Sequence, residues 1–311
     1  REPIQGIELR VTECLPEEHR ALAQPAAFRC LKISPDGWFA ANSVGDVLRW
    51  GMAELRELDL ARCDLGVSGA QMLANRPTDM GEYFEDWVAP PPFPAGQLRR
   101  LGLHGTKLGD EGVRIVLEAE TVTGLEALDV SQNQLKESAT LKALAARPWE
   151  SLEELDLSGN QGLGGKLSDL AGWSRLPQLK SLALPKSVTA ADLEALFPAP
   201  SPALRRLNLG GAKELCTGAP ERVAAMAEAL IGLNLGMSRV GDKAALTLLA
   251  SPALATLREL QLYGCSLSDK VIDALVASDI DGLLTLDVSS NKLTDDAMAN
   301  LDDADHDGYP T

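Results

Sequence analysis

Two aspartates, Asp129 and Asp156, stand 27 residues apart in nearly the same words, "LEALDVSQN" at 125–133 and "LEELDLSGN" at 152–160. The phrase returns as "LRELDLARC" at 55–63, with Glu57 and Asp59, and as "LLTLDVSSN" at 283–291, with Asp287. Carboxylates recurring at a fixed place in a repeated phrase can line up as a negative strip, which suits the binding of cationic side chains. A second candidate is the ending "DDADHDGYPT". Its Asp303, Asp305, Asp307 and Gly308 match the start of the D-x-D-x-D-G calcium loop. Three carboxylates at alternate positions suit a hard cation. The bidentate acid expected at the twelfth loop position is absent, and Pro310 stands where the loop normally carries an apolar residue. Ca2+ is therefore weighed against a solvated acidic tail. His104 has no companion His or Cys at metal-ligand spacing and reads as a surface histidine. With three histidines in the chain, no Ser-His-Asp or Cys-His set emerges, and the expectation is a protein that is not an enzyme.

A third candidate is the stretch "TDMGEYFEDWVAPPPFPAGQ" at 78–97. It combines Tyr83, Phe84, Trp87 and Phe93 with Asp79, Glu82, Glu85 and Asp86, and ends in a proline run. Aromatics among acids resemble an interface hot spot for a basic, partly apolar partner. The alternative is that Phe84, Trp87 and Phe93 fold back over a neighbouring helix.

What must position these groups is a repeat. With the first leucine as position 1, the frame L-x-x-L-x-L-x-x-N/C-x-L starts at Leu55, Leu98, Leu125, Leu152, Leu179, Leu204, Leu230, Leu257 and Leu283. Degenerate copies start at Ile4 and Phe28. One step, from Leu55 to Leu98, is longer than the ~27-residue period and holds the inserted stretch. Positions 4 and 6 are apolar and alternate with polar 3 and 5, which predicts a short half-buried strand. Position 9 is Asn133, Asn160 and Asn291, or Cys63 and Cys265. There the chain turns and strands backbone groups that an Asn amide can satisfy, and a Cys can pack. Asp110, Asp242, Asp269 and Asp295 fall at position 13, where they are expected to cap the N–H groups of a following helix. The helical spacing in "VRIVLEAE", "ALTLLASP" and "VIDALVAS" agrees.

The frame resembles the leucine-rich repeat family, and its period with a full helix is similar to the ribonuclease-inhibitor-like class. The resemblance implies an α/β leucine-rich repeat solenoid: one curved stack of eleven strands, with a parallel sheet on the concave face and helices on the convex face. Residues 1–54 would be degenerate N-terminal capping repeats, which resemble the entry segments of bacterial cytoplasmic leucine-rich repeat proteins. Residues 55–301 would be the repeats proper, with an insertion near 76–97, and 302–311 an acidic tail. Positions 3, 5 and 7 would face the concave side. They place Glu57, Asp59, His104, Asp129, Glu154, Asp156, Gln261, Tyr263 and Asp287 there as candidate binding residues, with Tyr83, Phe84 and Trp87 on the inserted loop. Position 5 also admits a plainer reading, a consensus preference that is simply solvated.

The whole-chain charge bears on the partner. Lys plus Arg is 29 and Asp plus Glu is 45, a net charge of -16. That argues against nucleic acid or a membrane surface as partner and favours a basic protein, or plain solubility. No apolar run reaches the ~18 residues of a membrane span. No basic-then-apolar leader is visible, although the sequence begins at Arg1. Five cysteines without a CxxC suit reduced thiols in a cytoplasm. The expected function is a protein–protein interaction scaffold without a cofactor, gripping a basic partner as an inhibitor, immunity factor or antitoxin does. The alternative is a GTPase regulator, because Ran GTPase-activating proteins are similar acidic solenoids, though no residue here specifies the polar or arginine device that activity needs.

Overall fold

Leucines two apart in a strand share a face, so a three-residue strand with Leu at positions 4 and 6 can bury both and expose position 5. The computed structural model shows this along the chain; it describes residues 7–11, 29–35, 54–74, 96–198, 201–213, 230–251, 256–278 and 282–306. The chain divides into two compact units, Arg1–Gly162 and Leu163–Thr311.

In the first unit, strands β1 (Ile7–Val11), β2 (Cys30–Pro35), β3 (Glu57–Asp59), β4 (Arg100–Gly102), β5 (Ala127–Asp129) and β6 (Glu154–Asp156) pair in chain order, all parallel. Position 4 forms one continuous row, Leu31–Leu58–Leu101–Leu128–Leu155, and each of these leucines is buried. Burying a leucine contributes roughly 1.5–3 kcal/mol, so the row is the main apolar seam of the sheet. Helices α1 (Gly66–Leu73), α2 (Gly109–Glu118) and α3 (Ser138–Ala146) follow β3, β4 and β5. In the second unit, β7 (Ser181–Ala183), β8 (Arg206–Asn208), β9 (Gly232–Asn234), β10 (Glu259–Gln261) and β11 (Thr285–Asp287) likewise pair in parallel and in order. Helices α4 (Ala190–Leu196), α5 (Gly241–Leu249), α6 (Asp269–Ala277) and α7 (Asp295–His306) belong to it. The repeat starting at Leu152 departs from the pattern. In place of an α-helix it has 3-10 turns at Gln161–Leu163, Leu167–Leu170 and Leu176–Gln178. Its "GLGGK" disfavours a helix on propensity. Gly162 also lies so close to the preceding repeat that a Cβ would stand 2.3 Å from Lys136 Cβ.

The position-9 side chains satisfy the groups released where the strand ends. Asn133 Nδ2 donates to Leu103 O at 2.7 Å, and its Oδ1 accepts from Leu108 N–H at 3.0 Å. Asn160 Nδ2 donates to Val130 O at 3.0 Å, and Oδ1 accepts from the N–H groups of Asn133 and Leu135. Asn291 does the same for Leu262 O, Cys265 N–H and Leu267 N–H. Where the residue is Ser238 or Cys265 it still donates to the corresponding carbonyl, Leu209 O or Leu235 O. The turn itself needs a left-handed residue at position 8. Gly105, Gly159, Gly211 and Gly264 supply it at no steric cost, whereas Arg62, Gln132, Met237 and Ser290 adopt φ of 53–66° as non-glycines.

The position-13 aspartates do not cap their own helices as expected. They lie in the first turn, where their charge complements the helix dipole. Where their bonds are defined, the carboxylates reach the neighbouring repeat. Asp110 accepts from Lys136 N–H, Glu137 N–H and Thr140 Oγ1, the last at 2.6 Å. Asp242 accepts from Ser268 N–H and Oγ, and Asp269 from Thr294 N–H and Oγ1. One period of the stack brings the next repeat's backbone nearer to each carboxylate than any orphan amide of its own helix.

Two candidate regions need separate placement. Tyr83, Phe84, Trp87 and Phe93 lie outside the described residues. At the C-terminal end, α7 takes in Asp303 and Asp305, so this backbone is helical where the calcium-loop reading expects a loop; Asp307 lies outside the described residues. Among the described residues no three His, Cys, Asp or Glu side chains are grouped to hold a metal ion, and no helix is long and apolar enough to cross a membrane.

Two stability outcomes are expected. Asn160→Leu strips four buried backbone groups of their partner and should cost about 1–3 kcal/mol in a denaturant titration. Asp110→Ala should cost a similar ~1–3 kcal/mol by releasing three donors. Glu111→Ala, one exposed position further along, should lie within about 0.5 kcal/mol of the parent.

Candidate functional site

Position 5 lies on the sheet face opposite the leucines. The pairing aligns Lys32, Asp59, Gly102, Asp129 and Asp156 across the first unit, with Asp129 directly beside Asp156. These aspartates are not simply solvated. Each turns one oxygen back onto its own chain two residues on: Asp59 Oδ1 accepts from Ala61 N–H at 3.0 Å, Asp129 Oδ1 from Ser131 N–H at 2.8 Å, and Asp156 Oδ1 from Ser158 N–H at 2.7 Å. Asn208 and Asn234 do the same for Gly210 and Gly236, and Asp287 for Ser289. Position 5 is therefore an Asx turn that starts the exit from the strand, and only its second side-chain atom is left to face outward.

The carboxylates differ in what surrounds them. Asp59 has Lys32 at 3.9 Å. Glu154, grouped from sequence with Asp129 and Asp156, is instead bound in a two-point pair by Arg100, at 3.0 and 2.7 Å. Arg100 stands two strands away at position 3 and reaches across the small Ala127. That bond holds the Arg100 guanidinium above its ordinary pKa. The second unit repeats the device: Arg206 reaches over Gly232 to Glu259 at 2.8 Å, which lowers the Glu259 pKa. Glu57 lies beside Cys30, whose thiol pKa is raised first by burial and then by the Glu57 charge. Asp129 and Asp156 keep no Lys or Arg partner among the described residues. Burial, and then the Asp129 charge, hold Asp156 above its ordinary pKa, against the lowering by its bonds to Ser158.

His104 is not an isolated surface histidine. Its Nδ1 is 2.7 Å from Ser131 Oγ, and Ser131 Oγ is 2.5 Å from Asp129 Oδ1. The serine hydroxyl donates to the carboxylate, so Ser131 Oγ accepts from His104 Nδ1–H. A nucleophilic serine needs the opposite order, donating its proton to the imidazole. The trio therefore braces the face and does not activate Ser131.

The remaining candidates fall in the second unit. Gln261 follows Asn208 and Asn234 along position 5, and Asp287 ends the row. Tyr263 lies along the sheet at position 7. Its ring lies over Gly236, where a Cβ would meet ring carbons at 2.1–2.5 Å. Sequence reasoning missed the amides of Asn208 and Asn234 and the cation Arg100. Writing positions 3 and 5 as columns would have exposed both.

Asp156→Asn should keep the Asx turn, as Asn208 and Asn234 do, and remove a charge the fold disfavours. A raised pKa means the folded state favours the protonated acid, so the cost of ionisation is absent below the ordinary value of 3.8 and grows as pH rises through the folded value. The variant should be more stable than the parent at neutral pH in denaturant titrations, and the gain should vanish below pH 3.8.

Comparison with known proteins agrees with this construction. Leucine-rich repeat family models match residues 54–74 and 283–301, and 151–173. No curated protein matches the sequence. The leucine-rich repeat-containing protein LegL7 from Legionella pneumophila is 16% identical, with a TM-score of 0.58 over 99% of this chain and 99% of that one. A chain of the Rad7 and Elc1 complex in yeast is 20% identical, with a TM-score of 0.50 over 66% of this chain and 53% of that one, so the match takes in about half of the yeast chain. At these identities the likeness is one of fold. The repeat frame, the strand–turn–helix built on it and the matched segments lead to one conclusion: this chain is a leucine-rich repeat protein.

Proposed function

We propose that the protein is a non-enzymatic binding module that holds a basic protein segment on the open sheet face of its first unit. Leucine-rich repeat proteins are in general protein-interaction scaffolds, and the yeast structure of similar fold is of a two-protein complex. The observation that carries the reading is the Asp129–Asp156 pair. Two adjacent carboxylates each spend one oxygen on a turn and have no Lys or Arg partner among the described residues. Like charges on neighbouring strands destabilise the sheet, and a guanidinium or ammonium from a partner would relieve that repulsion. The net charge of -16 would speed encounter with a cationic surface. His104, tied to Asp129 through Ser131, stands beside the carboxylates. Glu154 contributes less, since Arg100 already neutralises it. The loop carrying Tyr83, Phe84 and Trp87 is assigned the apolar part of the contact, from its composition alone. Capture of this kind suits an inhibitor, immunity factor or antitoxin, whose partner is switched off by being covered.

The test isolates charge from fold. A partner recovered by affinity capture would be measured against wild type and against the double variant Asp129→Asn, Asp156→Asn, at low and physiological salt. The variant keeps both Asx turns. Association should slow several-fold at low salt and lose most of its salt dependence, with dissociation less affected. Unchanged association at both salts would place the contact elsewhere and end this reading.

A further inference from the structure

His104 is half-buried at position 7, and its ring is held by a short chain of bonds. Nδ1–H donates to Ser131 Oγ at 2.7 Å, and Ser131 donates to Asp129 Oδ1 at 2.5 Å. Ser131 is itself buried, so the link is shielded from water. A neutral imidazole that donates from Nδ1 carries its lone pair on Nε2, and a second proton goes there. Nδ1–H is the donor to Ser131 in both forms. The ring can therefore gain a charge without breaking either bond. A charge on His104 lowers the Asp156 pKa, the sign of an attraction between an imidazolium and that carboxylate. The other charged groups around the ring come from neighbouring strands and turns. Asp59 lies over Gly102, where a Cβ would meet its Oδ1 at 2.8 Å, and it has Lys32 as partner. Arg62 gives its backbone N–H to His104 O, and its Cγ stands 4.0 Å from where a Cβ on Gly105 would be. Arg100 and Glu154, at position 3, hold each other. Asp129 and Asp156 have no Lys or Arg partner among the described residues.

We infer that His104 is a proton-operated counter-ion of the Asp129–Asp156 pair: neutral, it leaves the pair open to a cationic partner, and protonated, it supplies the cation itself and weakens the partner's hold. The inference rests on the reading of that pair as a cation site and adds to it a regulation by mild acid. Imidazole is the side chain whose charge ordinarily changes between about pH 5 and 8. The proton comes from solvent to Nε2, and no other bond changes. One imidazolium cancels half the charge of the pair, so the attraction for a partner's guanidinium or ammonium falls with it. The Ser131 link is what makes this a switch. It fixes the new charge beside Asp129, where an untethered surface histidine would swing away from an incoming cation. Protonation of Asp156, whose pKa burial raises, also removes charge in acid. A variant without the imidazole separates the two causes.

The experiment measures binding of a capped hexa-arginine peptide, whose charge is constant with pH, by calorimetry at about pH 7.5 and about pH 5.5. Wild type is compared with His104→Asn and with the double variant Asp129→Asn, Asp156→Asn. Asn carries an amide nitrogen on Cγ where the imidazole carries Nδ1, so it keeps a donor for Ser131 and takes up no proton. A thermal melt verifies each fold. Wild type should bind the peptide about five- to tenfold more weakly at the lower pH. His104→Asn should lose most of that ratio and keep only the part due to the carboxylates. By reciprocity, peptide binding should expel protons from wild type near the middle of the range, read from the heats in buffers of different ionisation enthalpy. That readout, with the His104 imidazole resonances moving toward their neutral positions as peptide is added, needs no variant. Equal pH ratios for wild type and His104→Asn, no proton release, or imidazole resonances unmoved by peptide would each overturn the switch. If the double variant binds weakly at neutral pH while those ratios are equal, the switch fails and the cation site stands. If wild type binds no peptide, or the double variant binds as well as wild type, the cation site fails and the switch with it.

Discussion

A hydrogen bond from the position-9 side chain to the position-6 carbonyl of the preceding repeat is the contact that Cys63, Asn133, Asn160, Ser238, Cys265 and Asn291 share. A three-residue strand is too short to hold itself, and each exit from it leaves a carbonyl and two N–H groups inside an apolar wall. Buried and unpaired, each would cost on the order of 1–3 kcal/mol. Asn160 and Asn291 each settle the carbonyl and both N–H groups, and Asn133 the carbonyl and one N–H, because a carboxamide is both donor and acceptor. Ser238 and Cys265 settle fewer and are smaller. The leucine rows stabilise the stack, and where position 9 is Asn, Cys or Ser238 its bond supports the turn out of the sheet as well.

A second set of ties runs along the helical side. Asp110, Asp242 and Asp269 each lock a helix start to the loop of the following repeat. With the amide bonds these make the repeats they join dependent on one another, the nearest-neighbour coupling expected of solenoids. Asp242 is held below its ordinary pKa by its bonds to Ser268, so this tie strengthens folding above the ordinary carboxylate range and is lost as pH falls. Asp156 has the opposite sign. Acid therefore loosens the Asp242 tie while relieving the charge at Asp156.

The strands were legible in the sequence because period two and the recurring L-x-x-L-x-L frame leave no freedom of register: Leu58, Leu101, Leu128 and Leu155 fall where the frame puts them. The role of Asn at position 9 was legible for the same reason. The aspartates at positions 5 and 13 were not. Whether a carboxylate caps its own helix, bonds two residues on or crosses to the next repeat depends on distances of an ångström, and composition is silent on those. Glu154 looked like part of an acidic patch until the register brought Arg100 across Ala127. That neutralisation depends on a small residue between two long ones, a three-column relation that reading one repeat at a time does not reveal.

The Asx turn has an evolutionary consequence. Asp and Asn serve it equally, and their codons differ by one base. A strand with Asp or Asn at position 5 can thus switch its contribution to the open face between accepting and donating by a single point mutation with little folding penalty. Selection on such a protein can rewrite what it recognises strand by strand, keeping an ordered fold through every intermediate, so its lineage can follow a changing partner faster than the scaffold itself diverges.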